Sequence, residues 1–231
     1  KISFRKQTIC QKLKQKSAEG IFHLSYGMVE LPTGKMKSRE GTVVDADDLV
    51  EEMIQISKEK TKALGKVADF SEEALNALYN TIGLGALKFF LLRVDPKKKM
   101  IFNPEESIDF HGFTGPFIQY THARIKSILR KTGAVSSFPS QSILPLEKAL
   151  IIALSNFNDV INEAATQLDP SKISIYAFEL AKLFNSFYAE HSIANAESEE
   201  KKALRIHLGI ITAATLSKAM QTLGIKVPEQ M

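Results

Sequence analysis

The sequence predicts a mainly α protein, an antiparallel α-helical bundle preceded by a small α/β segment. Three observations carry this. From Phe117 onward, apolar residues recur at helical spacing in four long stretches. Short β-branched and aromatic runs, bounded by Pro and Gly, are confined to the first 44 residues. Between the two lies DPKKKMIFNPEESIDFHGFTGP, residues 95–116, which is long for a connection inside a compact domain. It reads as a seam, dividing the chain into 1–112 and 113–231.

Residues 1–20 suggest a weak amphipathic helix ending near Gly20. Ile21–Leu24 and Gly27–Leu31 read as strands, the second broken by Pro32-Thr33-Gly34, and Gly41–Val44 as another extended piece. Asp45 caps the next helix, with Asp47 and Asp48 in its first turn, where the helix dipole favours negative charge. Ser71 starts another, with Leu75, Leu78, Ile82, Ala86 and Phe89 on its apolar face. Gly83 and Gly85 cost helix propensity there, which predicts close packing. That helix must stop near Val94, before Asp95-Pro96. The bundle helices are expected at Phe117–Lys131, Leu146–Leu168, Ser171–Ala189 and Glu197–Leu223, the last closed by Gly224. Their apolar stripes are Ile175, Phe178, Leu180, Leu183, Phe184 and Phe187 in the third, and Leu204, Leu208, Ile211, Thr215, Leu216 and Ala219 in the fourth.

Composition narrows the function. With 231 residues and 44% hydrophobic content the chain can bury a sizeable core. A net charge of +4 permits a nucleic-acid partner without requiring one. The single cysteine, Cys10, excludes a disulfide within the chain and a cysteine-based zinc cluster, and suits a reducing, cytoplasmic compartment. The five histidines lack metal-site spacing, so no protein-held metal is expected. No run reaches the roughly 18 apolar residues of a membrane span, and no membrane partner is expected.

The chemistry concentrates in Gly34-Lys35-Met36-Lys37-Ser38-Arg39-Glu40-Gly41. Glycines at both ends free the backbone, and Lys35, Lys37 and Arg39 alternate with Met36 and Ser38. Such a loop suits an anion on which charge develops, most simply a polyphosphate, but an exposed solvated turn has the same composition. Phe117 and Tyr120 follow the Gly115-Pro116 bend, with Arg124 one turn beyond Tyr120, so an aromatic and a cation share a helix face. Arg130, Lys131 and Lys97–Lys99 add positive charge. Glu105, Glu106 and Asp109 read as surface and helix-start charges.

Several stretches together resemble the arginyl-tRNA synthetases, a class I aminoacyl-tRNA synthetase family. His23–Val29 followed by Gly34–Arg39 is similar to the approach to their KMSKS signature, with KMKSR in its place. Phe89–Arg93 is similar to the helix before their domain seam. Gly112–Arg124, GFTGPFIQYTHAR, resembles their TGPYLQYAHAR-type run. Leu180-Ala181, Phe184–Tyr188 and Leu223–Met231 continue the likeness. The resemblance implies that the first part is a remnant of a nucleotide-binding catalytic domain and the bundle an anticodon-binding domain.

It also implies that the whole enzyme is an arginine–tRNA ligase, joining arginine to its tRNA through arginyl-adenylate with ATP and Mg²⁺. Lys35, Lys37, Ser38 and Arg39 would meet the ATP phosphates, with Met36 seating the loop. Phe117, Tyr120, Arg124, Tyr188 and Met231 would meet the anticodon. No His-x-Gly-His occurs in the chain. The chain also lacks an initial Met, so it is expected to be a C-terminal fragment of a longer, monomeric enzyme, inactive alone and without bound cofactor. A non-catalytic RNA-binding module remains the alternative, and a helical scaffold whose aromatics are all core is a third.

Overall fold

The structure, a computed structural model, describes residues 9, 11–14, 16, 20, 24–32, 45–63, 70–132 and 142–231. The expected N-terminal helix lies mostly outside these residues. So do Ile21–His23 of the first expected strand, the extended piece Gly41–Val44, and the whole Lys35–Arg39 run. Leu24, the described residue of that first strand, is in no strand.

The first part is built on a helix pair. Strand β1 (Val29–Glu30) precedes helix α1 (Ala46–Ala63), helix α2 (Glu72–Leu92), strand β2 (Met100–Ile101) and the one-turn helix α3 (Pro104–Ser107). Asp45 caps α1 by accepting the Asp47 N–H at 3.0 Å. The Ser71 hydroxyl caps α2 by accepting the Ala74 N–H at 3.2 Å. Met53, Ser57 and Thr61, one turn apart, form the buried side of α1. There the Ser57 hydroxyl donates to the Tyr79 carbonyl of α2 at 3.1 Å. Strands β1 and β2 pair in parallel, Val29 with Met100 and Glu30 with Ile101.

Residues 95–116 differ from the expected loop. Besides β2 and α3, they send Phe102, Ile108 and Phe110 into a core with Met53, Leu78, Ile82, Ala86 and Phe90. The apolar residues stand too far apart for a periodic signal, so their burial follows from tertiary packing alone. Arg93 locks the exit of α2: its guanidinium lies 3.8 Å from the Phe90 ring centroid, donates to the Phe113 carbonyl and pairs with Glu106 at 2.8 Å.

The second part is helical: α4 (Gly115–Thr132), α5 (Pro145–Ser155), α6 (Phe157–Gln167), α7 (Ser171–Glu190) and α8 (Glu199–Thr222). Helix α4 starts two residues before the expected Phe117, because Gly115 and Pro116 tolerate a first turn whose N–H groups have no helical partner. The expected Leu146–Leu168 helix is two helices. The chain breaks at Asn156, where the Ser155 hydroxyl turns back onto the Ile152 carbonyl at 2.8 Å.

The stripe of α7 is rotated from the expected one. Ser174 is buried and donates to the Leu92 carbonyl at 3.1 Å, while Ile175 is exposed. In α8, Ile211 is likewise exposed, and Thr212 and Ala213 are buried in its stead. Gly224 closes α8 in the left-handed region, φ +70°, and the Ile225 N–H reaches back to the Met220 carbonyl.

Helix α2 serves both cores. Phe89 and Leu92 pack in the bundle core with Ile118, Phe184 and Leu216, while Ile82, Ala86 and Phe90 face the first core. By length and mean hydropathy α2 is apolar enough to span a membrane, contrary to expectation. Its apolarity is used between two protein cores, and Asn76, Asn80 and Lys88 lie on its exposed side.

Two glycines set its approach to neighbours. A Cβ at Gly83 would sit 2.9 Å from the Met53 carbonyl oxygen of α1, and one at Gly115 would sit 2.7 Å from the Gly85 carbonyl oxygen. Gly115→Ala must therefore push α4 off α2. A loss of about 1–2 kcal/mol is expected in chemical denaturation, and an unchanged midpoint would show that the crossing yields freely.

Candidate nucleic-acid interface

Helix α4 carries the site. Tyr120, Arg124 and Arg130 line an open cavity of about 370 Å³ together with Phe70, Gln230 and Met231. Among the described residues that line it, none is Asp or Glu. Tyr120 is half-buried and meets Phe110 edge-on at 6.5 Å, which seats it on the first core, and Met231 packs against the same core. Arg124 is exposed, with its guanidinium 5.0 Å from the Tyr188 ring centroid. Tyr188 is stacked on the fully buried Phe184 ring at 6.3 Å and 7° between planes, so its ring is held flat against the bundle.

Of the five residues expected to meet RNA, the structure brings Tyr120, Arg124 and Met231 to one cavity and sets Tyr188 against Arg124. Phe117 goes elsewhere. It packs on Phe178 at 5.1 Å, in the bundle core, and does not line the cavity. Lys131 is exposed at the end of α4, and Lys97–Lys99 are exposed on the turn entering β2. Glu105 pairs with Lys60 at 3.2 Å, Glu106 pairs with Arg93, and Asp109 accepts the His111 N–H at 2.8 Å. These three acids therefore hold local structure.

Sequence reasoning missed the residues that hold residues 226–231 in place. The Gln119 amide donates to the Lys226 carbonyl at 2.8 Å and to the Thr81 carbonyl at 3.0 Å. His122 Nδ1 lies 2.9 Å from the Pro228 carbonyl oxygen. A carbonyl only accepts, so Nδ1 carries a proton. Arg130 donates to the Glu229 carbonyl at 3.1 Å, and Lys126 pairs with the Glu229 carboxylate at 3.0 Å. Burial holds the His122 imidazole below its ordinary value, against the raising influence of the Pro228 carbonyl and Glu229. A signal did exist: Gln119, His122, Lys126 and Arg130 recur at helical spacing, a polar stripe on a helix otherwise given to burial.

Two aromatic rings, two guanidinium groups and a thioether around an open cavity suit an unstacked base and its phosphate. The rings offer stacking faces and the cations offer charge. Among the described residues no three His, Cys, Asp or Glu side chains converge, so they offer no ligand set for a metal.

Comparison with known proteins gives this geometry its setting. The family model described as the DALR anticodon binding domain matches residues 118–231, and that of the tRNA synthetases class I (R), catalytic domain, matches residues 5–103. The arginine–tRNA ligase of Flavobacterium psychrophilum is 52% identical over 224 residues, covering 96% of this chain and 37% of that protein. That of Amoebophilus asiaticus is 46% identical over 230 residues, covering 96% and 39%. The chain thus spans less than two fifths of the length of these relatives. The Thermus thermophilus arginyl-tRNA synthetase structure superposes with a TM-score of 0.85 at 30% identity, covering 93% of this chain and 36% of that one. The Plasmodium falciparum arginyl-tRNA synthetase shares the fold, with a TM-score of 0.74 at 21% identity over 98% of this chain and 39% of that one. The chain belongs to the arginyl-tRNA synthetase family, to the stretch in which the end of the class I catalytic domain runs into the DALR anticodon binding domain.

Proposed function

We propose that this chain is the C-terminal part of a cytoplasmic, monomeric arginine–tRNA ligase, and that its role is to read the anticodon while lending a phosphate-binding loop to the activation site. The observation that carries the reading is the Arg124 guanidinium over the Tyr188 ring beside a cavity lined by Tyr120 and Met231. A base entering there has aromatic faces to stack on, and its phosphate has Arg124 and Arg130. Phe117 supports the helix start from inside the bundle. The two cores support a division into a catalytic-domain remnant, 1–112, and an anticodon-binding bundle, 113–231, joined along α2.

The activation half of the proposal rests on the family and on residue chemistry. The arginine carboxylate would attack the α-phosphorus of ATP, leaving AMP on the amino acid while the β- and γ-phosphates depart as pyrophosphate. Lys35, Lys37, Ser38 and Arg39, which lie outside the described residues, would hold its phosphates, and Met36 would seat the loop. The described residues offer Mg²⁺ no ligand set, so no step is assigned to the ion. A chain with no His-x-Gly-His is expected to form no adenylate by itself.

The anticodon reading is tested by titrating the full-length protein with arginine tRNA and with the same tRNA carrying another anticodon. Arg124→Ala and Tyr188→Ala should each weaken binding of the first by about tenfold, since loss of one base–aromatic or cation contact costs about 1–2 kcal/mol. Equal affinity of the unaltered protein for the two tRNAs would refute the anticodon role.

A further inference from the structure

The stretch 225–231 carries Gln230 and Met231 to the cavity wall, with Ile225 and Val227 seated in the bundle core and Met231 against the first core. Ile225 is buried and Val227 half-buried, but Lys226, Glu229 and Gln230 are exposed. Its course is set by side chains reaching from α4. Gln119 differs from the other two hydrogen-bonding anchors, His122 and Arg130, in being completely buried and in gripping a second element as well. Its amide nitrogen has two N–H groups and uses both, one on the Lys226 carbonyl and one on the Thr81 carbonyl of α2. Two carbonyl acceptors around one atom also fix which end of the side-chain amide is nitrogen.

The helices are cut to admit this amide. A Cβ at Gly85 would lie 2.4 Å from the Gln119 nitrogen and displace the amide, and one at Gly115 would meet the Gly85 carbonyl and part the two helices. Gln119 thus passes α2 beside Gly85 to reach residue 226. Helix α2 also contributes to both cores.

We infer that Gln119 is a positioning residue for the proposed anticodon cavity: one buried amide fastens residues 225–231 to α2, and so sets where Met231 and Gln230 stand relative to Arg124 and Tyr120. The inference rests on the anticodon reading above for its effect on RNA, but not for the fastening itself. Gln119 touches no RNA in this scheme; its carbonyl-gripping nitrogen is what matters.

The test compares Gln119→Met, which keeps length and bulk but donates nothing, with Gln119→Glu, which turns a carboxylate oxygen toward two carbonyl oxygens. In the full-length protein, amide hydrogen exchange of Ile225, whose N–H donates to the Met220 carbonyl at 2.9 Å at the head of this stretch, should speed up at least tenfold in Gln119→Met and further in Gln119→Glu. Exchange in α7 and α8 should stay as it was. The preference for arginine tRNA over the same tRNA with another anticodon should fall about tenfold. Deleting residues 225–231 should cause the same fall, and adding Gln119→Met to the deletion should change nothing more.

Unaltered exchange and unaltered preference in both variants would overturn the inference. So would additive losses in the deletion background, which would mean that Gln119 acts by another route. If a variant melts early, exchange read relative to α7 in the same sample still reports the fastening. A protein that binds both tRNAs equally before any substitution refutes the anticodon cavity instead, while the exchange measurement, which uses no RNA, still decides whether Gln119 fastens residues 225–231.

Discussion

Glu147→Ala is expected to lower the stability of the bundle by about 3–5 kcal/mol, the usual result of removing one partner from a buried ion pair. Glu147 opens α5 and is completely buried. It pairs with Lys201 at 2.7 Å and with Arg205 at 3.1 Å, both on α8 and both buried, and also accepts the Leu144 N–H at 2.9 Å. Arg205 goes on to the Ser192 carbonyl and Glu197, each at 2.7 Å, and Lys201 to the Ser142 carbonyl at 2.6 Å. Alanine leaves two cations in the interior facing an uncharged gap, and the start of α5 loses its tie to α8. Denaturant unfolding followed by helical circular dichroism measures the loss; a change under 1 kcal/mol would show that water or Glu197 takes over.

The same cluster predicts a pH dependence. Burial pushes the Glu147 carboxyl upward, but the hydrogen bonds from Lys201, Leu144 and Arg205 outweigh it and hold it below its ordinary value of 4.5. A carboxyl with a depressed folded value contributes stability that is present above 4.5 and lost as the pH falls through the folded value. Glu147→Gln should therefore flatten the stability curve below pH 4.5 relative to the unaltered protein. Parallel curves would place the acid sensitivity in other carboxyls.

Lys35→Ala in the full-length protein is expected to slow arginyl-adenylate formation about a hundredfold, which is about 2.7 kcal/mol of barrier. Departing pyrophosphate gathers negative charge as the reaction proceeds, so a cation meeting it binds the transition state more tightly than the ground state. The loss should therefore appear in the rate of pyrophosphate exchange at saturating ATP, with a smaller change in the ATP concentration needed. Anticodon discrimination by the bundle should stay intact, because that site is assigned to α4, α7 and residues 225–231. Unchanged pyrophosphate exchange would reduce Lys35 to a solvated surface charge.

How much of this was legible in advance depended on the range of the signal. Local chemistry wrote the helix starts at Asp45 and Ser71 and the stop at Gly224, because a cap or a left-handed glycine acts within one turn. It also wrote the all-helical second half, through apolar spacing. Residue types at fixed spacing put Tyr120 and Arg124 on one face of α4, and the Gly112–Arg124 run together with the KMKSR run pointed to the family. The composition excluded a disulfide framework outright.

Other features have no local cause. The burial of Phe102, Ile108 and Phe110 arises from what packs against them, not from their neighbours in sequence. So does the rotation of the α7 stripe, where Ser174 goes inside because the Leu92 carbonyl, 82 residues away, can accept its hydroxyl. Glu147 stands in the first turn of α5, and only α8, carrying Lys201 and Arg205 54 and 58 residues later, makes it a buried anchor. The cavity is likewise a tertiary product. By itself the sequence determined most of the long helices, the caps at Asp45 and Ser71, the family, and an aromatic beside a cation. Tertiary structure alone decided that Phe117 turns inward, that Arg124 lies over Tyr188, and that Gln119 and His122 hold Met231 beside them. Contacts spanning about a hundred residues depend on how whole helices cross, and no spacing rule along one helix encodes that.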